Sequence, residues 1–297
     1  MGADTGRGIV LGMLATLALF ALAVTAVAPS PQDTPQVQAG AGLQDDAAAL
    51  ARTLDAAHRG PKAPAKVESF RAEVRLEPRQ KDEEAVTVDL EVEFQAPKAL
   101  RAAVREKGVR VERGLDPQRG AWVRKDGEVT ALQGPQHNLE ADQVLNEVRL
   151  CRQVLGFLDP KSLIARMETP SAVRREDLEL TTRLRYPGCH VVEGTIDSFP
   201  TYTLGTEGRA RVTVYVHGET GRLVAVSALP LGADGKPLEL AELVLLGEYA
   251  PVQDVQLPAK LNVYRLAGPG KELLMTVRIQ SIELGSEFKK DHFKRPA

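Results

Sequence analysis

Aromatic side chains are scarce in this chain: one Trp, five Tyr and seven Phe make up 4% of 297 residues. The stacking platforms that hold single-stranded nucleic acid are therefore lacking. Charge of one sign is lacking too, with 38 Lys+Arg against 40 Asp+Glu. Without a net field to draw in a polyanion, nucleic acid drops out as a partner. Histidine is sparse and scattered: His58, His137, His190, His217 and His292 include no pair at the four-residue spacing of a zinc helix. No CxxC, HExxH, Gly-x-Ser-x-Gly elbow or phosphate loop occurs. Each histidine reads as a surface or turn residue, as in ordinary domains. The chain thus reads as having no catalytic group, no metal site and no cofactor, and a small secreted hydrolase loses ground.

Long apolar runs are confined to the start. IVLGMLATLALFALAVTAVA, residues 9–28, carries no charge and follows Arg7. Ala26-Val27-Ala28 fits the small-x-small pattern of a cleavage site. The run is also about as long as the roughly 20 residues that span a bilayer. Residues 1–28 therefore read as a cleavable export signal or an uncleaved membrane anchor, and either one places the remainder outside the cytoplasm. No Cys follows the run, which excludes a bacterial lipoprotein anchor. Residues 29–44, APSPQDTPQVQAGAGL, have little to bury and read as a flexible tether. The folded domain is then 45–297.

What is present beyond that point is mostly period-two patterning. In VTVDLEVEF, residues 86–94, Val86, Val88, Leu90, Val92 and Phe94 alternate with polar residues, which predicts a strand with one dry face. VESFRAEVRLEP does the same through Phe70, Ala72, Val74 and Leu76. Asp126-Gly127 between short apolar runs predicts a hairpin. Further strands are read in LELTTRLRY, HVVEGTI and five later segments, with turns at Pro187-Gly188, His217-Gly218, Asp234-Gly235, Leu257-Pro258 and Pro269-Gly270. Asp45 and Asp46 are placed to cap a first helix. One insertion breaks the rhythm. In residues 139–158, Ala141, Val144, Leu145, Val148, Cys151, Leu155 and Leu158 form a helical stripe, and Asp159-Pro160 starts a second short helix. The stripe needs a partner, and the dry face of the sheet is the natural one. The expected fold is mainly β (α+β): one curved antiparallel sheet of about eleven strands in a single domain, with helices covering its concave face.

Three features carry open alternatives. Cys151 and Cys189 are the only cysteines. They can pair as a disulfide outside the cytoplasm, or Cys151 can be a small buried hydrophobe and Cys189 a separate thiol. Trp122 reads as a packing residue or, more sharply, as a contact to an apolar ligand. The tail FKKDHFKRPA is a solvated basic end or a contact to anionic headgroups.

The order of these elements resembles a known family. Val67, Ser69, Phe70 and Ala72 open the first strand as V-x-S-F-x-A, and Ala96-Pro97 closes the second. There follow a W-V-x-x-D-G hairpin from Trp122, an insertion ending LDPKSLI, and V-Y-V-x-x-x-T-G-x-L from Val214 to Leu223. Leu257-Pro258 and a terminal F-K-R-P from Phe293 complete the series. Over roughly residues 47–296 the chain looks like the LolA/LolB superfamily of bacterial outer-membrane lipoprotein carriers, with its lipoprotein-sorting and RseB-like relatives. The resemblance implies an unclosed β-barrel under a helical lid, whose apolar interior holds acyl chains. It implies a non-enzymatic, monomeric periplasmic carrier for lipid or lipoprotein. The alternative it offers is an RseB-like sensor of the cell envelope with a membrane-protein partner. Phe70, Val74, Val88, Leu90, Val92, Phe94 and Trp122 become candidate cavity walls, opposite Leu145, Val148 and Leu155. The other reading is that these two surfaces simply pack on each other. Where the carriers hold a latching arginine this chain has Ala96, with Lys98 and Arg101 nearby, and it lacks their many aromatics.

Overall fold

The structure is a computed structural model that describes residues 42–79, 87–106, 109–181, 184–202, 204–268, 270–289 and 291–296. The proposed export segment, Val86, Lys107-Gly108 and Pro269 lie outside the described residues. A first helix, α1 (Gly42–His58), begins three residues before Asp45, inside the segment expected to be tether. Neither Asp45 nor Asp46 is therefore an N-cap.

Six strands follow: β1 (Ser69–Pro78), β2 (Val88–Gln95), β3 (Ala99–Glu106), β4 (Val109–Asp116), β5 (Gly120–Lys125) and β6 (Glu128–Ala131). Helices α2 (Asn138–Leu158) and α3 (Pro160–Ala165) interrupt, with Pro160 at the first position of α3 as its fixed φ favours. Seven more strands complete the chain: β7 (Arg174–Thr181), β8 (Leu184–Thr201), β9 (Thr206–Val216), β10 (Leu223–Pro230), β11 (Leu240–Val252), β12 (Val255–Ala267) and β13 (Gly270–Leu284). They form one antiparallel sheet of 13 strands, ordered β6-β5-β4-β3-β2-β1-β13-β12-β11-β10-β9-β8-β7. The fold is mainly β and the sheet is unclosed, as expected, with two strands more than the expected eleven.

Two turn expectations fail for a shared reason: a proline can sit in a strand where no ladder bond needs its missing N–H. Pro187-Gly188 lies inside β8. Glu176 pairs with Cys189 and Leu178 with Tyr186, so Asp177 alone faces both residues of the pair, which is a β-bulge. Gly188 takes φ 61°, and its N–H donates to Asp177 Oδ1 at 2.7 Å. LELTTRLRY is two strands rather than one, because β7 ends at Thr181 and β8 begins at Leu184. Leu257-Pro258 lies inside β12, in a stretch paired only with β11, because pairing to β13 starts at Lys260. The Asp126-Gly127 hairpin forms as read, with both residues at positive φ.

Register stacks the dry faces. Phe70 pairs with Phe94, Ala72 with Val92, Val74 with Leu90 and Leu76 with Val88. On the wet side of the same strands, Arg71 meets Glu93 at 2.9 Å and Arg75 meets Asp89 at 2.8 Å. A bulge at Glu73/Val74 resets the pairing to β13, so that Ile282 and Leu284 and then Ile279 and Val277 all oppose inward residues of β1. The concave face built this way packs on α1, α2 and α3 in the main core.

A second cluster lies on the opposite face of the C-terminal half. It joins Leu178, Leu180, Cys189, Val191, Val224, Leu243, Leu245 and Tyr264. Leu243 and Leu245 belong to it, while Val244 and Leu246 belong to the main core, as alternation along a strand dictates. Lys271 Nζ on β13 donates to the Glu179 carbonyl on β7. In a flat sheet six ladder steps would separate those strands by roughly 29 Å. The β7–β8 hairpin therefore curls back over the outer face.

The basic tail is docked rather than solvated. His292 Nε2 lies 2.7 Å from Glu93 Oε2, the Arg295 N–H donates to Asp116 Oδ2 at 3.0 Å, and Phe293 is buried.

Candidate ligand-binding site

The concave surface of β1, β2 and β13 does not meet α2 everywhere. A cavity of about 30 Å³ separates them, walled on the sheet side by Phe70, Ala72, Val74, Leu76, Leu90, Val92, Val277, Ile279 and Ile282. On the helix side stand Glu147, Leu150, Cys151 and Val154, with Tyr202 at the margin. The spacing 147, 150, 151, 154 is one face of a helix. The gap has room for about one or two water molecules.

Four of the sequence-derived candidates, Phe70, Val74, Leu90 and Val92, line this gap. Phe94 is fully buried beside it, its ring centroid 5.7 Å from that of Phe70. Val88 is half-buried against the same core, as are Leu145 and Leu155, and Val148 is buried; none of these four reaches the gap. The face of α2 that does so is rotated from the expected stripe by about one residue, or ~100°. Trp122 is misplaced altogether. Ala121 and Val123 pack into the main core, so alternation sets Trp122 on the outer face, paired with Gly114 across β4–β5. A Cβ on Gly114 would come within 2.7 Å of the Trp122 ring, so the two are in contact.

Glu147 was unread because a glutamate on a helix normally marks the wet side. Here its carboxylate is buried, with Oε1 at 3.2 Å from Nε of Arg113, itself buried on β4. Burial pushes the Glu147 carboxyl upward, against the pull of the Arg113 guanidinium. Six residues further along α2, Gln153 Nε2 donates to the Pro200 carbonyl at 2.9 Å and to Glu242 Oε1 at 2.5 Å. The Tyr202 N–H donates to that same oxygen at 3.2 Å. Burial, then the neighbouring Glu147 and Glu242, raises the Tyr202 phenol. An arginine at an inward position of β4, between Val111 and Leu115, was the one signal in the sequence for this pairing.

Cys151 and Cys189 are both free thiols, and they lie in different clusters on opposite faces of the sheet. The disulfide alternative is therefore corrected: no bridge forms. The Cys151 thiol is pushed well up, first by burial and then by Glu147. His58 overturns the surface reading of the histidines, being fully buried with both ring nitrogens engaged. Among the described residues no group of three or more His, Cys, Asp or Glu is placed to hold a metal ion. No described helix is long and apolar enough to cross a membrane.

An open antiparallel sheet wrapped around helices, with a gap between them, can be compared with known proteins. The chain is similar in fold to a LolA superfamily protein from Nitrosomonas europaea. The two share 12% identity over 84% of this chain and 98% of the other, at a TM-score of 0.44. An outer membrane lipoprotein-sorting protein domain from Vibrio parahaemolyticus matches at 11% identity, 83% and 95% coverage, and a TM-score of 0.39. LprF from Mycobacterium bovis matches at 13% identity, 82% and 95% coverage, and a TM-score of 0.26. No family model matches the chain, and no curated protein matches it by sequence.

Proposed function

We propose that this protein is a non-enzymatic carrier that holds an acyl chain of a lipid or lipoprotein between β1–β2–β13 and α2. It acts outside the cytoplasm, as a monomer, delivered by residues 1–28 and tethered through the segment that follows. The observation that carries the reading is the apolar gap of about 30 Å³ beneath α2. The order of sequence elements that resembles the lipoprotein carriers supports it. Sites that enclose whole ligands measure roughly 300–1,000 Å³. The gap is thus the closed state, and α2 swings out as a lid to admit a chain. Apolar burial then supplies the affinity, at about 25 cal/mol per Å².

Cys151 lies in the wall of the gap and reports on it directly. In a Cys189→Ala background, long-chain fatty acid should bind with a mass shift in native mass spectrometry and should slow thiol labelling of Cys151. Absence of any bound acyl species, together with labelling indifferent to fatty acid, would overturn the carrier reading.

A further inference from the structure

The outer face of β3, β4 and β5 carries more arginine than the strands themselves need. Leu100, Val104, Val111 and Ala121 pack inward, so alternation turns Arg101, Arg105, Arg110 and Arg124 outward. Glu112 lies buried among them. Its Oε2 accepts from Arg101 Nη2 at 3.2 Å and from Arg124 Nη2, and its Oε1 accepts from Arg110 Nε at 3.1 Å. The other two nitrogens of Arg110 donate to Glu91 at 3.1 and 2.7 Å. Arg105 stands directly opposite Arg110 across the β3–β4 pair, is exposed, and joins no ion pair among the described residues. Like charges at directly opposed positions cost a sheet stability. Four guanidiniums against two carboxylates, Glu91 and Glu112, leave two positive charges over. The flanking carboxylates are engaged elsewhere. Asp89 is held by Arg75, Glu93 by Arg71 and His292, and Asp116 by the backbone N–H groups of Gln118, Arg119 and Arg295. Glu73 lies on β1, two strands from β3.

Arg101 and Arg124 converge on one oxygen of Glu112, yet each uses only one of a guanidinium's five N–H donors there. Their side chains are 31% and 34% exposed. The buried carboxylate thus fixes two guanidiniums side by side, with their remaining donors reachable from solvent. Forked donors held in this way match the oxygens of a phosphate group, which accepts several at once. We propose that Arg101, Arg124 and Arg105 form a binding site for a phosphate group, free or carried on a lipid headgroup. A phosphomonoester carries about −1.5 to −2 at neutral pH, which matches the excess charge of the cluster. A single carboxylate would leave half of that excess uncompensated. The site lies on the opposite face of the sheet from the apolar gap, so it stands or falls apart from the carrier reading.

Trp122 reports on the site, being the only tryptophan and sharing the outer face of β5 with Arg124. The full chain is titrated with inorganic phosphate and, separately, with glycerol 3-phosphate as the headgroup, sodium chloride holding the ionic strength constant. Trp122 fluorescence and calorimetry should show saturable binding. Tighter binding of inorganic phosphate assigns the site to the free anion, and tighter binding of glycerol 3-phosphate assigns it to a headgroup. Arg101→Gln/Arg124→Gln should weaken binding by about tenfold or more, the worth of a charge-assisted hydrogen bond. That variant leaves Glu112 with Arg110 alone, so Arg105→Gln covers the case in which it does not fold. Arg105→Gln removes no ion pair, should not lower the urea midpoint, and should weaken binding about fivefold through the lost charge. The proposal is overturned if neither probe binds, if sodium chloride alone reproduces the signal, or if the variants bind as the wild type does. An acidic peptide that binds more tightly than both phosphate probes overturns it too, and makes this face a docking surface for protein.

Discussion

Acidification should loosen the seat of α1, and His58 gives the size of the effect. The ring is fully buried at the end of α1. Its Nε2 accepts the Leu223 N–H at 2.9 Å, which leaves Nδ1–H to donate to the Gln256 carbonyl at 3.3 Å. Tyr249 stands edge-on at 5.3 Å and donates its own hydroxyl to the Leu223 carbonyl at 2.6 Å. A proton on Nε2 would point at an N–H. Burial, against the pull of the Gln256 carbonyl and with help from Arg222, holds the imidazole down at about 4 from the ordinary 6.5. Between those two values the unfolded chain binds a proton that the folded one refuses. Stability is therefore full above about pH 6.5, declines as pH falls toward about 4, and levels off below it. The slope is about 1.4 kcal/mol per pH unit, so roughly 2 kcal/mol is gone at about pH 5 and about 3 kcal/mol in all. The assay is urea unfolding of wild type and His58→Phe from about pH 7.5 to about pH 5. Phenylalanine keeps the edge contact with Tyr249 but cannot titrate, so carboxylate effects common to both proteins cancel in the difference. His58→Phe should be less stable at neutral pH by about 1–3 kcal/mol, for the orphaned Leu223 N–H. That deficit should shrink by about 2 kcal/mol at the acid end. A deficit constant across the range would refute the reasoning.

Gly114→Ala should destabilise by about 1–3 kcal/mol, because the added Cβ would sit 2.6 Å from the Leu100 carbonyl oxygen and 2.7 Å from the Trp122 ring; an unchanged urea midpoint would show that β4 and β5 separate freely. Arg113→Met alone should cost about 3–5 kcal/mol by stranding Glu147, and adding Glu147→Leu should recover all of it or more. Additive losses in that double-mutant cycle would mean that the two side chains do not interact across α2 and β4.

The first strands were legible because one of their faces is wet. Arg71, Arg75, Asp89 and Glu93 alternate with Phe70, Val74, Leu90 and Phe94, and a period of two survives in the residue order. The second cluster was hidden by the opposite condition. Strand β11 buries Leu243, Val244, Leu245 and Leu246 in succession, and β10 runs Leu223, Val224, Ala225 and Val226. A continuous apolar run means both faces are covered, but it does not say by what. The cover is the β7–β8 hairpin, whose bulge at Pro187-Gly188 reads as a turn until its partner Asp177 is seen. Trp122 failed as a wall residue through a single step of alternation: Ala121 and Val123 take the inner face. The expected stripe of α2 found residues that are buried, yet of those at the gap only Cys151, because the face over the gap carries Glu147 beside Leu150 and Val154.

Those two polar residues bear on how a helix over a smooth wall keeps one position. Val, Leu, Ile and Ala side chains dominate the sheet beneath α2, and aromatics that could interlock with it are few. Apolar contact is non-directional, so a helix on such a surface can slide or rotate at little cost. Glu147 to Arg113 fixes α2 to β4, while Gln153 to Pro200 and Glu242 fixes it to β8 and β11. The pins lie on either side of Leu150 and Cys151, two of the residues that face the gap. Buried polar pairs add little net stability, but they penalise every register except the one that satisfies them. They therefore hold α2 off the wall at a set position, and the gap is preserved rather than collapsed. Under the proposed carrier function, the same contacts must break together when α2 lifts. Opening of the proposed lid would then be a switch between two defined states, not a gradual loosening.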